Sequence, residues 1–205
     1  MVNDISSIKN SNIRNQCDSS TSNFYSDFKF NLPSYNKVNS DLKDSSNNLK
    51  VYHQNIRGLR GKLNQLSNIL YSELPHIICI TERYLKDFEM EMMSIEYYKV
   101  GTKFCRQQFK NGGLCIFVHE SIDFDVISTH CICKEKDLEI CAVKLNLPKI
   151  KIVIRTIYRS TTGNYNHFLR KLDSFLNLLY TKKWNLSYVG IQILIVYIVI
   201  IEHNS

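Results

Sequence analysis

Three apolar runs in this chain each end on polar side chains, and that repetition narrows the fold more than any other feature. In Leu49–Lys62, LKVYHQNIRGLRGK, a short apolar–polar alternation (Leu49, Val51, then His53) runs to Asn55 and turns at Gly58. HIICITERYL holds an apolar strand from Ile77 to Ile80 that ends on Thr81 and Glu82. IKIVIRTIYRS ends in the same way on Tyr158 and Arg159. Open α/β sheets bind ligands beyond the carboxyl ends of their strands. Three strands that each end on a polar cluster make a site once the fold brings the ends together.

The intervening sequence supplies the connections. Leu63, Leu66, Ile69 and Leu70 recur at helical spacing, which predicts an amphipathic helix over Gly61–Glu73. Pro75 ends it, because the residue before a proline is pushed out of helical geometry. His76–Thr81 then reads as a buried strand, completing a strand–helix–strand unit of the size of a parallel crossover. Tyr97–Thr102, Gly113–Val118, Phe124–Ile127, Leu138–Leu147 and Ile150–Ile157 read as short strands broken by Gly112-Gly113 and Asn146–Lys149. Their close succession predicts antiparallel pairing. Tyr165–Lys182 is a helix with Phe168, Leu169, Leu172, Phe175, Leu176 and Leu179 along one core-facing side.

The first 50 residues contain 21 Ser or Asn and no sustained periodicity. Such a segment buries too little apolar surface to offset the entropy of ordering, so residues 1–48 are expected to be a disordered leader. Its aromatics, Phe24, Tyr25, Phe28 and Phe30, are a docking candidate with a flexible tail as the simpler explanation. The net charge of +7 favours an anionic partner or serves solubility alone, since Lys and Arg are scattered. Met1–Asn10 has no apolar core to act as a secretory signal. Cys79, Cys115 and Cys141 fall inside apolar runs, where a free thiol behaves as a small hydrophobe. Cys131-x-Cys133, beside His130, has no partner pair at metal-binding spacing. These features point to a reducing, intracellular location, nuclear or cytoplasmic, and against secretion.

Glu82 is the sharpest single residue. An acidic group at the mouth of a buried strand suits a hard divalent cation, which takes oxygen ligands and keeps several waters. Asn55 is suited to orienting a phosphate oxygen and Tyr158 to steadying one through its hydroxyl. Taken singly, a helix cap, a turn residue and an amphipathic wall explain the three as well.

Taken together, strand–Asn, strand–Glu, antiparallel strands and strand–Tyr resemble the endonuclease/exonuclease/phosphatase family, the fold of DNase I. Within it the chain looks most like the endonuclease domain of insect-type non-LTR retrotransposons. HQNIRGLRGK, IICITERYL, FCRQQFKNGGLCIFV, KEKDLEICAVKL and IYRSTTGNYNHFL carry the resemblance, from about Leu49 to Lys182. It implies an α/β (α+β) fold built as a DNase I-like four-layer sandwich, two β-sheets face to face with helices outside, here incomplete. It also implies hydrolysis of DNA phosphodiesters with Mg2+, or Mn2+ in its place, and no small-molecule cofactor. By the same resemblance Asn55 helps set metal and phosphate, Glu82 binds the metal, Tyr158 contacts the scissile phosphate and Arg159 adds substrate binding. The metal would polarise the phosphoryl oxygen and offset charge on the leaving oxygen.

The family's next motifs, Gly-Asp-x-Asn and later Ser-Asp-His, are absent. No Asp follows Asp173, and the one later His is His203. Where Gly-Asp-x-Asn is expected the chain reads NLSYVGIQILIVYIVIIEHNS. Leu186–Ile201 admits a C-terminal membrane anchor, although its sixteen residues fall short of the about 20 needed to span a bilayer. Its β-branched content also admits two buried strands. A third reading comes from the genetic code. Codons built from each residue's third base and the next residue's first two can spell Leu-Ile-Ile-Cys-Gly-Asp-x-Asn-Ile-Asn from Asn185. We therefore expect a partial domain over 49–185 and an out-of-frame apolar tail over 186–205. The chain as written should then be inactive, because the residues of such a site act as a unit. The alternative from another class is a non-enzymatic nucleic-acid-binding module, or one anchored to a membrane by a genuine tail.

Overall fold

The computed structural model of the chain describes residues 16–18, 21–29, 48–147, 150–181, 185–192 and 195–203. In chain order these form β1 (Gln16–Asp18), β2 (Thr21–Lys29) and β3 (Asn48–Asn55), then α1 (Leu63–Glu73) and β4 (Ile77–Thr81). A short helix, α2 (Asp87–Glu91), leads to β5 (Tyr98–Phe104), β6 (Leu114–His119) and β7 (Phe124–Val126). There follow β8 (Glu139–Asn146), β9 (Ile150–Tyr158), α3 (Tyr165–Thr181), β10 (Asn185–Gln192) and β11 (Ile195–His203). The fold is mixed α/β with two sheets. One has six strands in the order β1-β2-β3-β4-β6-β5, the other five in the order β10-β11-β9-β8-β7.

The expected crossover is present. β3 and β4 pair in parallel, with Asn55 opposite Thr81, and α1 joins them. Leu74 ends α1 in left-handed backbone, its N–H bonded to the Leu70 carbonyl, immediately before Pro75. The remaining pairs are antiparallel, including β4–β6, β5–β6, β7–β8 and β8–β9. The α2 turn after Glu82 was not anticipated. It is too short to carry a periodic signal.

Alternation along the strands sorts the side chains into three cores. Leu49, Val51, Ile77, Cys79, Leu114 and Ile116 of the first sheet pack with Cys141, Val143, Ile152, Ile154 and Tyr158 of the second. Tyr52, Ile78, Ile80, Cys115 and Phe117 pack with Leu66 and Leu70 of α1. Leu138, Ile140, Val153 and Ile157 pack with Phe168 of α3. Burial of this kind stabilises by about 25 cal/mol per Å² of apolar surface. Asn164 starts α3, its side-chain oxygen accepting the His167 N–H. Leu169 departs from the expected core face and is 41% exposed, since the side of α3 that meets β8 and β9 runs through Phe168 and Leu172.

Two expectations change at the chain's ends. β2 pairs with β3 along its length, from Asn23 opposite Gln54 to Lys29 opposite Asn48, so the leader is not unstructured over Gln16–Asp18 and Thr21–Lys29. The outer edge of β3 would otherwise present a row of unpaired backbone groups, and pairing with β2 satisfies them. Phe24, Tyr25 and Phe28 fall within β2, whereas Phe30 lies outside the described residues. At the other end the second sheet continues across the expected boundary at residue 185. β11 pairs with β9 from Ile195 opposite Tyr158 to His203 opposite Ile150, and β10 pairs with β11. Of the three readings of the tail, paired strands are the conformation found, as β-branched runs favour whatever their coding history. No helix among the described residues is long and apolar enough to cross a membrane.

Candidate active site

Asn55 is the last residue of β3, Glu82 follows the last residue of β4, and Tyr158 is the last of β9. The fold brings all three to one carboxylate. Asn55 Nδ2 and the Tyr158 hydroxyl each donate to Glu82 Oε1 at 2.9 Å. A fourth side chain, Tyr84, donates its hydroxyl to Glu82 Oε2 at 2.8 Å. Glu82 thus accepts from three uncharged donors supplied by both sheets.

The backbone around Glu82 is unusual for these residue types. Glu82 and Tyr84 have φ of 53° and 57°, and Arg57 on the facing turn has 46°. Non-glycine residues in left-handed backbone are strained by about 1–3 kcal/mol each and persist where the surroundings over-determine them. Here the two turns are laced together. Ile56, Gly58 and Leu59 donate their N–H groups to the carbonyls of Thr81, Glu82 and Arg83 at 2.8–3.0 Å. The Arg83 side chain is fully buried and donates to the carbonyls of Leu114, Leu85 and Phe104 at 2.7–3.1 Å. Arg83 therefore ties the Glu82 turn to the β5–β6 loop from beneath.

Behind the cluster lies a second carboxylate. Glu139, opposite Tyr158 in the β8–β9 register, is fully buried and accepts Arg106 Nε at 2.5 Å. It also accepts the N–H groups of Gly113 and Lys136 at 3.0 Å. Burial pushes the Glu139 carboxyl up, while Arg106 and the two amides pull it back. Gly112, at φ +103°, lets the Arg106 guanidinium pass: an added Cβ would lie 2.2 Å from its Cζ.

Both phenols stay protonated at neutral pH. Burial first, then the Glu82 carboxylate, raises Tyr158 above its ordinary value and Tyr84 to about 12. They are donors to Glu82, not bases. Below Asn55 on the same face of β3, His53 is buried with its Nε2 3.5 Å from Thr81 Oγ1. Burial lowers its pKa to about 3, which keeps the imidazole neutral.

Arg159 is engaged elsewhere. Its Nη1 donates to the carbonyls of Ser160 and Gly163 at 3.1 and 3.2 Å, and its guanidinium lies over the Tyr165 and Phe168 rings. None of its described hydrogen bonds reaches Glu82. Sequence reasoning missed Tyr84, Arg83 and the Arg106–Glu139 pair. Thr-Glu-Arg-Tyr contains no glycine or proline to announce its left-handed turns, and an arginine buried on carbonyl oxygens leaves no charge pattern. Cys79 and Cys115 are buried as their apolar runs suggested, and burial raises both thiols to about 12.

Among the described residues no group of three or more His, Cys, Asp or Glu side chains gathers to hold a metal. What the cluster offers a cation is oxygen from two residues. Besides the Glu82 carboxylate there is Asn55 Oδ1, a buried acceptor with no hydrogen-bond partner. One carboxylate, one amide oxygen and several waters suit Mg2+ or Mn2+, which dehydrate reluctantly. No family model matches the chain, and no curated protein matches it either, so the functional reading rests on these residues.

Proposed function

We propose that the chain carries the metal- and phosphate-facing half of a DNase I-like phosphodiesterase site, as in the endonuclease domain of a retrotransposon. The observation that carries this reading is the convergence of Asn55, Tyr158 and Tyr84 on Glu82 from three strand ends. Two sheets sharing a core, with α1 and α3 packed on their outer faces, agree with the four-layer sandwich that the resemblance implies. Asn55 and the phenols orient the carboxylate, and the unpaired Asn55 Oδ1 supplies a second oxygen. A bound Mg2+ would supply Lewis-acid polarisation of a phosphodiester of DNA.

The residues that activate water in the family, Gly-Asp-x-Asn and Ser-Asp-His, do not occur in these 205 residues. We therefore expect divalent-cation binding without strand cleavage. Mn2+ titrated into the protein should broaden the amide signals of Thr81–Tyr84, and Glu82→Gln should abolish the broadening while leaving the far-UV spectrum unchanged. Broadening that is absent in the wild type, or that survives Glu82→Gln, sinks the metal assignment. Magnesium-dependent nicking of supercoiled plasmid that Glu82→Ala removes would overturn the half-site reading in favour of a complete enzyme. Sequencing the transcript from codon 180 past codon 205 tests the frame: Gly-Asp-x-Asn and Ser-Asp-His should stand in another one.

A further inference from the structure

Tyr84, whose hydroxyl donates to Glu82, also lines a pocket of about 190 Å³. Its walls come from the segment after β4, with Tyr84 and Lys86, and from the β5–β6 loop, with Arg106, Phe109, Lys110 and Asn111. That volume is below the about 300–1,000 Å³ usual for drug-sized ligands, so a single small group fits it. Three lining residues are cationic and none is acidic. Glu139 behind Arg106 offsets one of the three charges, and the Glu135 carboxylate lies against the backbone of the same loop.

The pocket is also pre-organised. Lys86 Nζ spans its walls to the carbonyls of Arg106 and Gln107 at 3.1 and 3.4 Å. The Glu135 carboxylate accepts the successive N–H groups of Gln107, Gln108 and Phe109, which holds the loop in one shape. Arg106 is 6% exposed, and its Nε and Nη2 both lie 2.5 Å from Glu139 Oε1, which fixes the guanidinium in the wall of the pocket. A small pocket with Lys86, Arg106 and Lys110 in its walls and no acidic lining residue selects an anion with several acceptor oxygens.

We propose that this pocket is a subsite for one phosphate group, either a phosphodiester of a polynucleotide or free phosphate. It is distinct from the Glu82 cluster and does not depend on the reading of that cluster. The test uses the whole chain with two probes, inorganic phosphate and a short labelled single-stranded oligodeoxynucleotide. Phosphate should move the amide signals of Arg106–Gly112, and Lys110→Gln should remove that response. Lys110 carries the test alone because Lys86 also braces the loop. Lys110→Gln should weaken oligonucleotide binding about tenfold, the order expected for one charge-assisted hydrogen bond. It should also flatten the log–log salt dependence by about 0.7, the value for one phosphate of a single strand. Lys99→Gln/Lys171→Gln, which removes two exposed charges elsewhere, should change neither readout as much. A phosphate response with unchanged oligonucleotide binding in Lys110→Gln assigns the pocket to free phosphate. If Lys110→Gln alters neither the phosphate response nor the oligonucleotide affinity beyond the control, the subsite does not exist. Glu82→Gln should leave both readouts in place, which keeps this result separate from the metal assignment.

Discussion

Glu82 and Glu139 sit at the same end of the two sheets and are held in opposite ways. Glu139 is fully buried, ion-paired to Arg106 and capped by two backbone amides. Glu82 is reached by an amide and two phenols, and no described Lys or Arg side chain hydrogen-bonds to it. Tyr158 joins them, opposite Glu139 across the β8–β9 ladder while donating to Glu82. A carboxylate matched by a guanidinium inside the protein is closed to ligands. Glu82, oriented by neutral dipoles, has no such cationic partner among the described hydrogen bonds, which is the feature the proposed metal role rests on.

The largest effect should come from breaking the closed site. Arg106→Met leaves Glu139 buried without its partner and should cost about 3–5 kcal/mol in chemical denaturation. Glu82→Gln should cost about 1 kcal/mol, because its donors keep an acceptor. Equal losses would mean that both carboxylates are structural. The next effect is on pH dependence. His53, lowered to about 3 by burial, is neutral when folded and protonated below about 6.5 when unfolded. The unfolded chain therefore binds the extra proton between those values, and stability should fall as pH drops from 6.5 towards 3. His53→Asn should flatten that slope, and an unchanged slope would assign it to other groups.

Gly112→Ala sharpens the comparison from the backbone side. At φ +103° and 2.2 Å from Arg106 Cζ, the added methyl should cost about 1–3 kcal/mol and displace the guanidinium from Glu139. A neutral result in thermal unfolding would show the loop to be compliant. The smallest effect belongs to the open site. Tyr158→Phe removes one hydrogen bond to Glu82 and should cost about 1 kcal/mol, with Tyr84→Phe costing less because that ring is 37% exposed. If Tyr84→Phe is the more costly of the two, the exposed phenol is the principal brace of Glu82.

Much of the framework was legible. The parallel β3–β4 crossover, the antiparallel strands that follow and both longer helices come from hydrophobic period, turn residues and Pro75, all of which act locally. Asn55, Glu82 and Tyr158 were legible as strand-end residues. β2, which lies between β1 and β3, was not, since backbone pairing depends on register with its partner strands and on no local apolar pattern. The partners of Arg159 were not legible either: its guanidinium serves the carbonyls of the following loop and lies over two aromatic rings.

From Leu49 to Tyr158 the sequence by itself determined the succession of strands and which polar residues stand at their mouths, because period-two alternation and breakers operate over a few residues. Only the tertiary structure decided that three of those mouths share one carboxylate. Only it decided that Tyr84 completes the set, and that Arg106 is paired with Glu139 while lining a cationic pocket with Lys86 and Lys110. Those outcomes depend on the register between strands and on left-handed turns at Glu82 and Tyr84. Contacts between residues as far apart as Glu82 and Tyr158 are set by how the sheets pack, which no local pattern encodes.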